Sequence, residues 1–250
     1  MGARLTEANA EHGDACSHKN QQHTSCSDCR LHSICLPIAL EASDIARLDQ
    51  IIERSSSLER GQMACEEDQP FTSLYALRTG SLKAYRLTAD GKEQITGFYL
   101  PGELFGVDGI AQNRHLTSVM ALETSSICEI PFTRLEELSA LIPDLQRHVF
   151  KIMSQEIAQD QQLITLLSKN SAEQRVAALL LNLSRRSARL KLSSTALRLP
   201  MSRTDIGNYL GLTVETVSRI FSRFQKAGML EVEKREIHIC NSDILAELAG

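Results

Sequence analysis

The chain has 250 residues, 42% hydrophobic and 23% charged, enough for one large domain or two modest ones with real cores. Its net charge of −4 is unevenly spread: residues 171–250 carry 12 Lys+Arg against 8 Asp+Glu, and residues 1–170 carry 15 against 23. No apolar run is long enough to span a bilayer, the N-terminus has no apolar leader, and seven cysteines are a poor basis for a disulfide framework. The expectation is a cytoplasmic protein with reduced thiols and no membrane partner, whose basic C-terminal third faces an anion.

Residues 1–25 are polar and without apolar period, so no element is predicted there. Three cysteines follow at tight spacing, Cys26-x2-Cys29-x5-Cys35. Soft thiolates this close suit a thiophilic metal, an iron–sulfur cluster or a redox pair, and three are one short of a closed four-coordinate site. Residues 41–54 place Ile45, Leu48, Ile51 and Ile52 at helical spacing. From 58 to 131 short β-prone runs (SLYALR, SLKAYRLT, EQITGFYL, TSVMALE, SSICEIPF) alternate with turn signals at Gly80, Asp90-Gly91 and Pro101-Gly102. Strands this short and regular read as an antiparallel barrel or sandwich.

Thr133 to Leu141 reads as a short helix, and Pro143 opens a long one. Along it Val149, Ile152, Met153, Ile157, Leu163, Ile164 and Leu167 recur at three- and four-residue steps for over six turns, a candidate coiled-coil seam. Asp160 falls on that seam, three residues after Ile157 and four before Ile164. In a parallel homodimer two such aspartates meet and repel, so Asp160, Ile157, Met153 and Ile164 are the expected dimer-interface switch.

Ser168-Lys169-Asn170 reads as a hinge, and Ser171-x-x-Gln174 is a capping box for the next helix. Ser202-x-x-Asp205 is another, opening a short helix with Ile206, Tyr209 and Leu210. Gly211 permits a left-handed turn. Thr213 caps a second helix whose Val217, Ile220, Phe221 and Phe224 point inward, and Gly228 ends it. Helix, turn and helix make a helix-turn-helix for double-stranded DNA, with the hairpin EVEKREIHI as a wing. Glu215, Ser218 and Arg219 occupy the outer face of the second helix. Arg can donate twice to guanine, and Glu can accept from cytosine. Arg203, Thr213, Thr216, Arg223 and Lys226, with Lys234-Arg235 of the wing, are the phosphate-contact candidates.

The fold class expected is therefore α+β. Residues 1–40 are the cysteine segment, 41–142 an antiparallel barrel, 143–170 a dimerisation helix and 171–250 a winged helix-turn-helix. No acid–base or nucleophile constellation appears beyond the cysteines, so an enzyme is not expected.

The runs CSDC-x5-C, DGKEQITGFYLPGELFG, ALETSSICEIPF and DIGNYLGLTVETVSR resemble the CRP/FNR superfamily of bacterial transcription regulators, and within it the oxygen-sensing FNR/ANR branch. The resemblance covers nearly the whole chain. It implies a cyclic-nucleotide-binding-like jelly roll and a [4Fe–4S] cluster held by Cys26, Cys29, Cys35 and Cys128. It also implies a homodimer when the cluster is intact and loss of DNA binding when oxygen converts it to [2Fe–2S]. The dimer would read a site like TTGAT-N4-ATCAA through Glu215, Ser218 and Arg219, activate or repress anaerobic genes, and contact RNA polymerase, with the Thr88–Lys92 hairpin as one surface. On its own Cys128 reads as a small buried hydrophobe. Cys16, Cys65 and Cys240 do not match the motif; Cys65 and Cys240 read as structural.

The chain departs from the cyclic-nucleotide branch where an Arg would meet the phosphate: that run is His115-Leu116-Thr117, with Arg114 one place out of register, so no cyclic nucleotide is expected. The alternative is a regulator with a structural zinc and a different effector. His12, His18, His23 and His32 are available to such an ion but sit at no familiar ligand spacing.

Overall fold

The computed structural model describes residues 25–54 and 57–250; Cys16, His12, His18 and His23 lie outside them. Among these residues no helix is long and apolar enough to cross a membrane.

After the cysteine turns and a 3-10 turn at Leu36–Ala39 comes α1 (Ala42–Ile51). Eight strands follow: β1 (Glu53–Arg54), β2 (Met63–Cys65), β3 (Ser73–Thr79), β4 (Leu82–Leu87), β5 (Glu93–Tyr99), β6 (Leu104–Phe105), β7 (Ser118–Ala121) and β8 (Ser126–Pro131). They form two antiparallel sheets, ordered β1-β8-β3-β6 and β2-β7-β4-β5. The expected barrel is thus a jelly-roll-like sandwich, not a closed cylinder. The first sheet ends on two-residue strands, too short to carry the ladder around. Leu77, Phe105 and Ile127 of one sheet meet Leu82, Ala84, Val119 and Ala121 of the other in the interior.

Strand alternation places a second core on the outer face of the first sheet. Leu74, Ala76 and Ile130 point there and pack with Leu36, Leu48 of α1, and Leu135 and Leu138 of α2 (Phe132–Leu141). Leu145, at the start of α3 (Pro143–Lys169), completes it. Gly102, at φ +88°, sits where a side chain would collide with Ile34 of the cysteine segment, 2.7 Å from the ideal Cβ.

The third core fills the C-terminal part and runs on into Tyr85, Ile95, Phe98 and Leu122 of the sandwich. Helix α4 (Ala172–Arg189) starts at the Ser171 capping box: Ser171 Oγ accepts from Gln174 N at 3.3 Å, and Gln174 Oε1 from Ser171 N at 2.8 Å. Helix α5 (Arg203–Leu210) repeats the device with Ser202 and Asp205 at 3.0 and 2.8 Å. Each such cap contributes about 1 kcal/mol. Gly211 at φ +65° turns the chain into α6 (Val214–Lys226), where Val217, Ile220, Phe221 and Phe224 are all buried. The wing has three strands, β10-β11-β9, because β9 (Ala196–Arg198) joins β10 (Leu230–Glu233) and β11 (Glu236–Ile239). Helix α7 (Ser242–Ala249) closes the fold against α4.

The two halves touch through α5 and β5. Asn208 uses its side-chain amide as a strand would: Oδ1 accepts from Ile95 N at 2.6 Å, and Nδ2 donates to Glu93 O at 2.6 Å. The open edge of β5 is thereby covered. Beside it Lys83, almost fully buried, reaches Glu93 at 2.5 Å and Asp205 at 3.5 Å. Arg186 of α4 pairs with Glu103 and donates to Phe98 O at 2.5 Å. Phe98 and Tyr209 pack ring to ring at 5.1 Å.

Candidate metal centre and nucleic-acid interface

Cys128 lies on β8 between Ile127, which faces the sandwich interior, and the outward side that Ile130 also takes. Alternation therefore turns its thiol away from the interior and toward the N-terminal segment. Opposite it in register is Ala76, whose small side chain leaves space. Cys26, Cys29, Cys35 and Cys128 line one cavity with Leu31, Pro37 and Ala76. The loop is held by Cys35 N donating to Leu31 O at 2.9 Å and Cys26 N donating to Asp49 Oδ1 of α1 at 2.8 Å. His32 turns Nδ1 toward Cys29 O at 3.1 Å. The three closely spaced thiols and the distant one thus face the same space, across about ninety residues of sequence.

Burial pushes the Cys35 thiol up to about 12; the Leu36 backbone opposes this, while Cys128 and Cys29 add to it. So buried a thiol as that of Cys35 keeps its proton until a cationic centre takes it as the thiolate. Four sulfur donors in an apolar cavity suit an iron–sulfur cluster or a tetrahedral thiolate metal. Of the other cysteines, Cys65 is buried in the sandwich and Cys240 is exposed on the wing.

The cysteine loop also leans on the base of α3. Burial, then Lys151, lowers the pKa of the His148 ring, and the nearby Cys35 backbone opposes the fall. Further along, Tyr99 of β5 donates to Glu156 Oε1 at 3.1 Å. Burial is the chief cause that raises Glu156 to about 7; the Tyr99 bond opposes it, and Asp160 adds to it.

Helix α3 divides the apolar stripe into two faces. Val149 and Ile152 pack against the outer core of the sandwich. Phe150, Ile157 and Ile164, spaced by seven, are 62%, 60% and 65% exposed. Met153 and Asp160 sit three residues after the first two, and Leu167 three after the last. These residues follow the a and d spacing of a heptad, with Asp160 the one charged residue among them. Phe150 was missed in the sequence because Val149 beside it fits the same spacing. Asp160 is exposed in the single chain, and partial burial raises its pKa.

On α6 Glu215, Ser218 and Arg219 are all exposed. The Glu215 carboxyl is held down by the amide at the helix start, then by Thr213, with Arg219 contributing less. Ser218 Oγ donates to Val214 O at 2.8 Å, and Arg219 Nη2 donates to Thr216 Oγ1 at 3.2 Å. The phosphate candidates are less uniform. Thr213 Oγ1 caps the helix by accepting from Thr216 N at 3.2 Å. Arg203 stacks on the Phe221 ring at 3.4 Å, and burial lowers its pKa to about 10. Arg223 pairs with Glu173, and Lys226 is exposed.

Where a nucleotide phosphate would need an Arg, Thr117 Oγ1 and Leu116 N donate to Asp108 Oδ2 at 2.8 and 3.0 Å, and His115 is buried beside them. Arg114 turns away to donate to Asp68 O at 3.0 Å.

Residues 55–140 match the cyclic nucleotide-binding domain family and residues 174–248 the Crp-like helix-turn-helix domain family. The chain is 48% identical over 230 residues to the transcriptional activator protein FnrA of Stutzerimonas stutzeri, covering 92% of this chain and 94% of that one. It is 49% identical over 225 residues to the fumarate and nitrate reduction regulatory protein of Escherichia coli K12, covering 90% of each. Among solved structures it resembles FixK2 from Bradyrhizobium japonicum, with 31% identity, a TM-score of 0.73, and 79% of this chain and 98% of that one covered.

Proposed function

Because this chain belongs to the CRP/FNR family of DNA-binding transcription regulators, which are not enzymes, we propose that it is the oxygen-responsive kind. In this reading Cys26, Cys29, Cys35 and Cys128 hold a [4Fe–4S] cluster that supplies an oxygen-labile iron centre. The observation that carries it is the convergence of those four thiols, from two distant segments, on one cavity.

The coupling to output uses this chain's own residues. The loop that presents Cys35 leans on His148 of α3, so ordering the loop steadies the helix base. That helix offers Phe150, Ile157 and Ile164 to a second copy, and Asp160 opposes the pairing. A two-fold dimer presents two α6 helices to a near-palindromic site such as TTGAT-N4-ATCAA, where Glu215, Ser218 and Arg219 read bases. Lys226, Thr213, Thr216, Arg203 and Arg223 line the flanks as phosphate contacts; Arg223 must leave Glu173 to do so. RNA polymerase is the expected partner of the exposed Thr88–Lys92 turn, which is pinned by Thr88 donating to Asp90 at 2.5 Å. The Asp108–Thr117 bond and the turned-away Arg114 support a site that takes no cyclic nucleotide.

Purification without air, followed by iron and sulfide analysis and visible spectra before and after oxygen, tests the reading. The expected result is a brown protein that bleaches in air and loses dimerisation, and a colourless Cys128→Ser variant. A colourless native protein containing zinc would sink it in favour of a structural metal.

A further inference from the structure

Three potential ligands stand together outside the cysteine cavity, on the solvent face of the wing. Glu231 of β10 is directly opposite His238 of β11, and Cys240 follows two residues later on the same side. Cross-strand partners sit close enough for their side chains to meet, and residues two apart on a strand share a face. All three are exposed, and one ligand atom from each lies within 4.8 Å of the others.

The spacing is that of a coordination sphere. Cys240 Sγ is 3.8 Å from His238 Nδ1. A tetrahedral zinc, with Zn–S about 2.3 Å and Zn–N about 2.0–2.1 Å, holds those atoms about 3.6 Å apart. Cys240 Sγ also lies 3.7 Å from His238 O, a weak hydrogen bond that a metal would displace. The Glu231 carboxylate needs only side-chain rotation to close the third position, which solvent leaves open to it. The backbone beneath is fixed, because Cys240 N donates to Met229 O at 2.9 Å and Asn241 caps α7.

We propose that Glu231, His238 and Cys240 form a surface site for a borderline-soft divalent cation of the zinc class, with water as the fourth ligand. Sulfur, imidazole and carboxylate in one set favour such an ion over calcium or magnesium, which take oxygen alone. Binding releases the Cys240 thiol proton, so the wing gains one net positive charge. The gain falls on a hairpin that also carries Lys234 and Arg235, so occupancy adjusts the charge that the wing offers to a phosphate backbone. It also ties β10 to β11 and to the start of α7. The site is independent of the cluster reading.

Cobalt is the probe, titrated without oxygen into the full chain carrying Cys26→Ser, Cys29→Ser, Cys35→Ser and Cys128→Ser. The expected result is one equivalent bound with a thiolate-to-cobalt absorption band. Cys240→Ala and His238→Ala abolish the band, and Glu231→Gln weakens binding at least tenfold. Absence of a thiolate band, or its survival in Cys240→Ala, overturns the proposal. Should the fourfold variant not fold, tight zinc per chain is counted in the otherwise native protein with and without Cys240→Ala. One equivalent fewer in the variant supports the site, and equal counts refute it.

Discussion

Replacing Asp160 with Ala should turn a reluctant dimer into a ready one. The residue sits in the heptad between Ile157 and Ile164, both more than half exposed in the single chain. In a parallel pair two seam residues face each other about 4 Å apart. Two charges at that distance repel by about 4 kcal/mol at an effective dielectric of about 20. Asp160 is exposed and its seam position is partly wet, so a dielectric near 40 and about 2 kcal/mol is the better figure. That corresponds to a roughly 30-fold tighter dimer, since about 1.4 kcal/mol is tenfold. Sedimentation equilibrium of the metal-free protein measures it directly. Asp160→Asn separates charge from packing, because it keeps the shape and should recover most of the gain. A dissociation constant that moves less than threefold in Asp160→Ala would refute the like-charge reasoning.

Arg219→Ala should remove discrimination at one G·C pair, a loss of about 1–3 kcal/mol, in competition binding with single-base variants of the site; retained preference there would reassign the base reader. Glu156 holds its proton up to about pH 7 in the fold, whereas an unfolded glutamate loses it near 4.5. Its contribution to stability is therefore full below about 4.5, declines from there, and is gone above about 7, a loss on the order of 2 kcal/mol once solvent exposure is discounted. Glu156→Gln keeps an acceptor for Tyr99 and should flatten urea-denaturation stability between pH 5 and 8; an unchanged slope refutes the assignment. Lys83→Gln leaves Glu93 and Asp205 without their shared cation and should cost about 2 kcal/mol in the same assay. A loss under about 0.5 kcal/mol would mean that the contact between the halves is decorative.

The helix-turn-helix was legible because its signals are local. Ser202, Asp205, Gly211 and Thr213 each act within three residues, and each cap forms as its spacing predicts. The five longer strands were legible for the same reason. Strands β1, β2, β6 and β9 were not, since two or three residues carry no period and become strands only by pairing with partners such as Cys128 or His238. Helix α7, as short as α5, lacks the two-sided capping box that marked α5. At the site, the spacing of Cys26, Cys29 and Cys35 spoke for itself, whereas Cys128 needed a family likeness. Its direction depends on strand alternation and on its partner Ala76, 52 residues earlier in the chain and joined to it by neither motif nor period. The contact between Asn208 and β5 could not be read at all, because it joins segments more than a hundred residues apart.

Asp205 serves two masters: its carboxylate closes the capping box of α5 through Ser202 and also faces Lys83 across the gap between the halves. A change at Asp205 therefore cannot loosen the halves without fraying the first helix of the DNA reader. Lys83 and Glu93 carry no such second duty toward α5's own fold. Selection for variants with altered freedom of the reading head should accordingly find them on the sandwich side of the contact, at positions that never approach DNA.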